Sequence, residues 1–102
     1  MAYEILFTPE AKEDLLALRV HERKKVLDAV EIHLRYEPEK VSKSRIKRLI
    51  GIESPQYRLR IDEIRAFYDV IYQTNESRVE ILAIREKAEA MRWLEENGRQ
   101  SE

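Results

Sequence analysis

At 102 residues, the chain is long enough for one compact core and too short for two, so we expect residues 1–102 to form a single domain. Its 43% hydrophobic and 38% charged residues exclude a disordered chain, and no apolar run reaches the roughly 20 residues of a membrane-spanning helix. The lack of cysteine excludes disulfides and thiolate chemistry and fits a reducing cytoplasm. No basic stretch precedes the first apolar run, so no signal peptide is expected.

The net charge of −1 hides an uneven distribution. Between Lys43 and Arg65 there are seven basic and three acidic residues, so this segment carries +4 and the rest of the chain −5. Local potential, rather than global charge, decides whether a surface holds phosphate. The segment is therefore a candidate anion-binding region, with an ordinary solvated charged face as the alternative.

The first third of the chain predicts a strand followed by a helical hairpin. Residues 3–7 form a short apolar strand, and Thr8 with Pro9 is typical of a helix start. The first helix is expected to run to about residue 19, on the spacing of Ala11, Leu15 and Leu18. The second is expected over about residues 21–36, with a buried face of Val26, Leu27, Val30 and Leu34.

The rest of the chain predicts strands and a closing helix. A basic, turn-rich segment from Val41 to Gln56 leads into three expected strands, at residues 57–61, 64–72 and 78–84. The closing helix is expected over residues 86–97, with an apolar stripe of Ala88, Met91 and Leu94. The order β-α-α-β-β-β-α predicts an α+β fold, in which an N-terminal strand and a helical hairpin pack on an antiparallel β-sheet meander with a short C-terminal helix.

The stretch YRLRIDEIRAFYDV, residues 57–70, predicts a hairpin with arginines on one face. If Asp62 and Glu63 form a two-residue turn, Arg60 lies opposite Arg65, and Arg58 shares their face because faces alternate with period two. Opposed like charges cost stability, and that cost is easier to understand if an anion binds between them. The alternative is that Asp69 and Glu63 pair with these arginines in salt bridges.

The run KRLIGIESPQYRLRIDEIRAFYDV, followed by VEILAI and a closing helix, resembles the RelE/ParE superfamily of toxins from type II toxin–antitoxin systems. The resemblance spans nearly the whole chain and includes a K-x-L-x-G segment of Lys47, Leu49 and Gly51. It implies a small α+β fold and one of two activities. RelE-like members cleave messenger RNA in the ribosomal A site without a metal, and ParE-like members poison DNA gyrase. In both groups a partner antitoxin neutralises the toxin.

The resemblance also implies roles for particular residues. Arg65 matches the catalytic arginine of the second hairpin strand, and a bidentate guanidinium suits the charge of a phosphorane. The implied phosphate-binding residues are Lys47, Arg48, Arg58 and Arg60. Lys87 stands where RelE-like enzymes carry an arginine after the last strand, and supplies supplementary charge. Met91 stands where they carry a tyrosine or histidine, and methionine cannot transfer a proton.

Other residue types with catalytic potential are better explained by packing. His21 and His33 lie on predicted helices, and the tyrosines at 57, 68 and 72 lie on predicted strands. Trp93, near the end of the last helix, is expected to serve packing or a partner interface. No spacing of His, Asp and Glu suits a metal, and no glycine loop suits a nucleotide phosphate, so we expect neither metal nor cofactor.

These observations lead to one leading hypothesis and two alternatives. The leading hypothesis is a cytoplasmic, RelE-like endoribonuclease, or mRNA interferase, that arrests growth by cleaving messenger RNA on the ribosome, with Arg65 and Lys87 as catalytic residues. The alternatives are a non-catalytic, ParE-like inhibitor of DNA gyrase and a degenerate toxin of low activity held in an antitoxin complex. The expected partners are a cognate antitoxin and either ribosome and message or gyrase. Operator DNA would be contacted only through the antitoxin, and no membrane contact is expected.

Overall fold

The computed structural model describes residues 2–101. Three helices and seven strands follow one another in the order β1 (Glu4–Phe7), α1 (Pro9–Ala17), α2 (Val20–Leu34), β2 (Ile46–Arg48), β3 (Ile52–Ser54), β4 (Tyr57–Ile61), β5 (Ile64–Tyr72), β6 (Ser77–Glu86), α3 (Lys87–Asn97) and β7 (Arg99–Gln100). The predicted α+β architecture is confirmed, including the opening strand, the two successive helices, the three long strands and the closing helix. The short strands β2, β3 and β7 were not predicted.

Five strands form the main sheet in the order β1-β6-β5-β4-β2. β4, β5 and β6 form the predicted antiparallel meander, and β2 joins the outer edge of β4 in antiparallel fashion. β1 pairs with β6 in parallel, which the helical hairpin between β1 and the meander makes possible, since a parallel partner needs a long crossover.

The first face of the sheet is covered by α1 and α2 and holds the main core. Alternate residues of β4 and β5, among them Leu59, Ala66 and Tyr68, are completely buried there together with Val26 and Leu34 of α2. The predicted buried face of α2 is wrong at one position. Leu27 is 40% exposed, and Ala29 is buried instead, because the helix presents the 26–30–34 row to the sheet and turns its flank outward.

The second face of the sheet is covered in part by α3. Phe67 of β5 stacks on Trp93 of α3, with ring centroids 5.0 Å apart, and Ala83 and Ala90 complete this smaller core. The predicted stripe of α3 is wrong at two of its three positions, because Met91 is 65% exposed and Ala88 is exposed as well, whereas Leu94 packs as predicted. The bulky Trp93 determines which side of the helix faces the sheet, and the Ala90–Trp93–Leu94 side is the one that packs.

Side chains of α1 satisfy backbone groups at the edge of β6. Thr8 caps α1 by accepting a hydrogen bond from the N–H of Ala11, as its position before Pro9 predicts. Asp14 accepts one from the N–H of Ile84, at 2.9 Å. α1 therefore closes the part of β6 that lies beyond the end of β1.

A second, two-stranded sheet connects the end of α3 to the segment before β4. β7 pairs with β3, the N–H of Ser101 donates to the carbonyl of Gly51 at 3.0 Å, and Arg99 forms an ion pair with Glu53 at 3.2 Å. Within residues 2–101, no helix has both the length and the apolar character needed to cross a membrane.

Candidate anion-binding cleft

The β4–β5 hairpin has the register that its sequence predicts. Arg60 lies opposite Arg65, and Arg58 lies opposite Phe67. The turn forms without glycine because Asp62 adopts the left-handed region, with φ of 52°, which aspartate tolerates better than most residues. Arg58, Arg60 and Arg65 consequently belong to the second face of the sheet, opposite the helical hairpin.

Arg65 is the one charged residue of the described chain, 2–101, whose exposed fraction falls as low as 8%. Its Nη1 donates to the carbonyls of Asp62, at 2.8 Å, and Ile64, at 3.1 Å. These two bonds fix the guanidinium against its own turn, and no carboxylate of residues 2–101 pairs with it. A buried, fixed cation of this kind is preorganised for an anion rather than for solvent.

Beside this guanidinium lies a cleft of about 300 Å³ between the hairpin, β2 and the start of α3. Its walls include four cationic side chains, from Lys47, Arg58, Arg65 and Lys87. The remaining walls are apolar, from Leu49, Phe67, Ala90, Met91 and Leu94. Four of the six predicted site residues thus meet in one cleft, although they come from three different strands and a helix.

Lys87 is positioned by the backbone. It is the first residue of α3, and its N–H donates to the carbonyl of Glu63 at 2.7 Å. This bond ties the start of the helix to the β4–β5 turn. The turn that carries Arg65 and the helix that carries Lys87 are therefore joined directly, which holds both cations at the same cleft.

The cations of the cleft have no acidic partners. Within residues 2–101, neither Lys47, Arg58, Arg65 nor Lys87 takes part in an ion pair, and the buried Nε of Arg58 has no hydrogen-bond partner. Burial lowers the pKa of Arg58 from its ordinary value, and the charges of Arg65 and Arg60 lower it further. An anion in the cleft would relieve the repulsion that these shifts reflect.

The alternative of salt bridges across the hairpin does not describe this site. Asp69 accepts hydrogen bonds from the hydroxyl of Ser54 and from the N–H of Gln56, the latter at 2.7 Å. Asp69 thus fastens the β3–β4 connection to β5. Glu63 forms no ion pair within the described residues 2–101. Neither of the two carboxylates that this alternative requires therefore pairs with the arginines.

Two of the six predicted residues lie outside the cleft. Arg48 lies over the ring of Tyr57, 5.2 Å from its centroid, and donates to the carbonyl of Gln56 at 2.7 Å. It pairs with Tyr57 across β2 and β4, so it belongs to the first face of the sheet. Arg60 shares the face of Arg58 and Arg65 but is exposed beyond the cleft, near the hairpin end.

The cleft contains no ordinary proton-transfer group. Its titratable side chains are lysines and arginines only, and Met91 lies on the α3 side, where the resemblance would place an aromatic acid or base. Tyr68 is buried on the first face, where its hydroxyl donates to the carbonyl of Pro38 at 2.6 Å. No group of three or more His, Cys, Asp or Glu side chains within residues 2–101 is arranged to hold a metal ion.

Two features at or near the cleft were not predicted from the sequence. The first is the apolar lining of the cleft. In the sequence, the apolar residues of this lining look the same as residues that pack in an ordinary core. The second is a network in which Glu10 accepts hydrogen bonds from Arg85 and from the indole N–H of Trp93, both at 2.8 Å. Its members lie 75 and 83 positions apart, a separation at which no local pattern can link them.

Comparison with known proteins gives a consistent result. Residues 5–91 match the family model described as the ParE toxin of the type II toxin–antitoxin system, parDE. No curated protein matches the sequence.

Three solved structures have a similar fold. The chain is similar to one in the archaeal RelE–RelB complex from Pyrococcus horikoshii OT3, with a TM-score of 0.67 and 24% identity over 85% of this chain and 97% of that one. It is similar to the YoeB/ParE toxin from Agrobacterium tumefaciens, with a TM-score of 0.64 and 20% identity over 81% and 97%. It is also similar to a chain of the toxin–antitoxin complex RelBE2 from Mycobacterium tuberculosis, with a TM-score of 0.61 and 24% identity over 84% and 99%.

Proposed function

The chain belongs to the ParE toxin family of type II toxin–antitoxin systems, and from its cationic cleft we propose that it inhibits translation by cleaving messenger RNA on the ribosome. The RNA phosphate would bind in the cleft lined by Lys47, Arg58, Arg65 and Lys87. The observation that carries the proposal is the group of four cations around one cleft, none of them paired with a carboxylate among residues 2–101.

The chemistry needs cations more than any other group. In the proposed reaction the ribose 2′-oxygen attacks the adjacent phosphorus, the P–O5′ bond breaks, and a 2′,3′-cyclic phosphate and a 5′-hydroxyl form. The negative charge on the phosphoryl oxygens grows in the transition state. A fixed guanidinium such as that of Arg65 stabilises this charge without reorganising, and Arg58 can add further donors, including its unpartnered Nε.

Proton transfer is the weaker part of the proposed site. The proton of the 2′-hydroxyl would pass to water, and the Lys87 ammonium would supply one to the leaving 5′-oxygen. Because the cleft offers no histidine, tyrosine or carboxylate, the enzyme forgoes a general base, which typically contributes 10²–10⁴-fold to the rate. The ribosome would have to provide the orientation of the RNA, so cleavage is proposed only for ribosome-bound message.

The proposed partners follow from the family. Type II toxins act with a protein antitoxin, and two of the solved structures with a similar fold are toxin–antitoxin complexes. We therefore propose that a cognate antitoxin binds this chain and neutralises it. The ribosome and its message are the proposed targets, which implies action in the cytoplasm.

Inhibition of DNA gyrase is the second candidate. Two observations favour it: the matched family model describes ParE, and the cleft lacks a proton-transfer group. In this case the cations would bind a surface of gyrase or its DNA, with no bond cleaved by this chain.

The two candidates are separated by paired assays on purified protein. Primer extension on ribosomes programmed with a defined message should reveal new 5′ ends with the wild type and none with Arg65→Ala. Arg92→Ala provides the matched control, since Arg92 is an exposed arginine of α3 whose only ion pair in the described chain is with Glu96. Gyrase supercoiling is measured at the same protein concentrations.

The outcomes are distinct. Intact message together with inhibited supercoiling would replace the first candidate with the second. Activity in neither assay, with growth unaffected when the chain is expressed without an antitoxin, would identify a degenerate toxin.

A further inference from the structure

The cleft has a second chemical character besides its charge. The rest of its lining is made of Leu49, Phe67, Ala90, Met91 and Leu94, none of which carries a polar side chain. Met91 is the exposed member of this set, at 65%, whereas Phe67 and Ala90 are buried. We call these five side chains the apolar wall. A free inorganic anion could pair with the four cations, but it would leave the apolar wall in contact with water.

We infer that this wall, centred on Met91, is a seat for one nucleobase of single-stranded RNA, whose adjoining phosphate binds Arg58 and Arg65. The inference rests on the proposed function for the identity of the ligand as RNA. A nucleotide joins a flat, largely apolar group to an anion, and the lining of the cleft combines apolar with cationic side chains. The volume of about 300 Å³ is at the small end for ligand sites and suits one nucleotide rather than several.

Met91 is the side chain best placed to contact the base. Phe67 is 2% exposed and already stacks on Trp93, so its ring face is not free for a base. Methionine is unbranched and polarisable, and it adapts to flat surfaces of different shape. Since the wall offers no hydrogen-bonding side chain, the base would be held by contact and desolvation, with little discrimination among the four bases.

An acidic peptide with an apolar side chain is the rival occupant. The charge of the surrounding surface favours nucleic acid instead. The cationic row does not stop at the cleft: Arg60 continues it along the same face of the hairpin, exposed and without an ion pair in the described chain. A row of cations matches a backbone with one charge per nucleotide better than it matches a single carboxylate.

The test compares ligands with and without a base. Adenosine 5′-monophosphate and ribose 5-phosphate are titrated into the protein, with binding followed by NMR on the amides of residues 87–94. The base should make the nucleotide bind about tenfold more tightly, since each buried methylene-sized contact is equivalent to roughly a factor of four in affinity. Met91→Ala should remove most of this preference and leave the affinity for ribose 5-phosphate unchanged.

A gain of affinity distinguishes a base seat from a merely structural role. Met91→Phe should raise the affinity for the nucleotide about fivefold or more, because stacking on an aromatic ring is worth at least about 1 kcal/mol per base. It should leave the affinity for ribose 5-phosphate unchanged. Ile32→Ala is the matched control: it removes an apolar side chain of similar exposure from α2, on the opposite face of the sheet, and should change neither ligand.

Each result decides something. Equal affinity for the two ligands, or a preference that persists in Met91→Ala, overturns the base seat and leaves the proposed function intact. An acetylated Glu-Leu dipeptide that binds as tightly as the nucleotide, with the same dependence on Met91, assigns the wall to a peptide. If neither phosphate ligand binds, the cleft is not an anion site. Base-dependent binding with uncleaved ribosomal message supports the seat and contradicts only the cleavage.

Discussion

Arg65 and Arg85 are direct neighbours across β5 and β6, yet their surroundings are opposite. Arg85 forms ion pairs with Glu10, at 2.8 Å, and with Asp14, at 3.3 Å. Arg65 is more deeply buried, and within residues 2–101 its side chain donates hydrogen bonds only to carbonyl oxygens. The Arg85 guanidinium joins α1 to the sheet, whereas that of Arg65 is held in place without a carboxylate partner in the described chain.

The difference provides a criterion that separates a structural arginine from a candidate for ligand binding. A half-buried cation normally acquires a carboxylate, because an uncompensated charge away from water costs free energy. Where a cation is held in place and no carboxylate pairs with it, we expect a bound ligand to supply the negative charge. By this criterion Arg58 and Arg65 mark the candidate site and Arg85 does not, whereas the exposed Lys47 and Lys87 belong to the site because they line the same cleft.

The largest expected effect comes from exchanging arginine for lysine at the two neighbours. Arg65→Lys should reduce whichever inhibition the wild type shows by on the order of 10², because lysine lacks the fork that reaches several phosphoryl oxygens. Arg85→Lys should stay close to wild type, since a lysine can still pair with Glu10. Dose–response curves of purified proteins measure both. Equal losses in the two variants would remove the distinction between them.

Removal of Arg85 tests its structural role. Arg85→Ala leaves Asp14 and Glu10 without their cation and should lower the free energy of unfolding by about 2 kcal/mol, between the values for exposed and buried pairs. Urea denaturation measures this. The control is Arg92→Ala, which breaks an exposed pair with Glu96 on α3 and should cost well below 1 kcal/mol. A loss no larger than that of the control would mean that the Arg85 network contributes little.

Removal of Arg60 tests the repulsion within the cationic row. Arg60 lies directly opposite Arg65, so Arg60→Ala should stabilise the fold by about 0.5 kcal/mol at low ionic strength. The gain should vanish near 1 M salt, where charges are screened within about 3 Å. Denaturation at the two salt concentrations measures it, and destabilisation at low salt would show that Arg60 makes a favourable contact instead.

The smallest effect concerns Asp14 and has a defined sign. Burial raises the pKa of its carboxyl above the ordinary 3.8, against the opposing N–H of Ile84 and the charge of Arg85. The folded state then binds this proton more tightly, so the stabilisation is present below pH 3.8 and is lost as the pH rises through the folded pKa. Stability of the wild type relative to Asp14→Asn should therefore fall with rising pH in that window. The opposite slope would mean that Arg85 outweighs burial.

The long elements could be predicted from sequence because their signals are local. Alternation fixed the β4–β5 register, and Thr8 with Pro9 marked the start of α1. β2 and β7 could not be predicted this way. They are three and two residues long and largely charged, and their pairing is imposed by neighbouring strands rather than by propensity. The face of α3 was misassigned because spacing alone gave Ala88, Met91 and Leu94 the same weight as Trp93.

The candidate site was predictable in part for the same reason. Arg58, Arg60 and Arg65 lie on one hairpin, where the period of two determines their common face. Arg48 was placed with them because the resemblance implies a phosphate-binding role for the basic segment that holds Lys47 and Arg48. Neighbours in a strand face opposite ways, however, and Arg48 stacks on Tyr57 instead. The Met91 wall and the pairing of Arg85 with Glu10 depend on how α3 and α1 pack, which no local pattern contains.

The most direct test of the unpaired cations is the salt dependence of RNA binding. A short RNA with 2′-O-methyl groups cannot be cleaved, so its affinity can be measured by fluorescence anisotropy over a range of salt concentrations. Three or four phosphates neutralised in and beside the cleft predict a slope of log K against log salt of about −2 to −3, at about 0.7 per phosphate of a single strand. Arg58→Ala and Arg65→Ala should each make the slope shallower by about 0.7, and Arg92→Ala, which removes an exposed charge outside the cleft, should not. A wild-type slope near zero, or unchanged slopes in both cleft variants, would contradict the account.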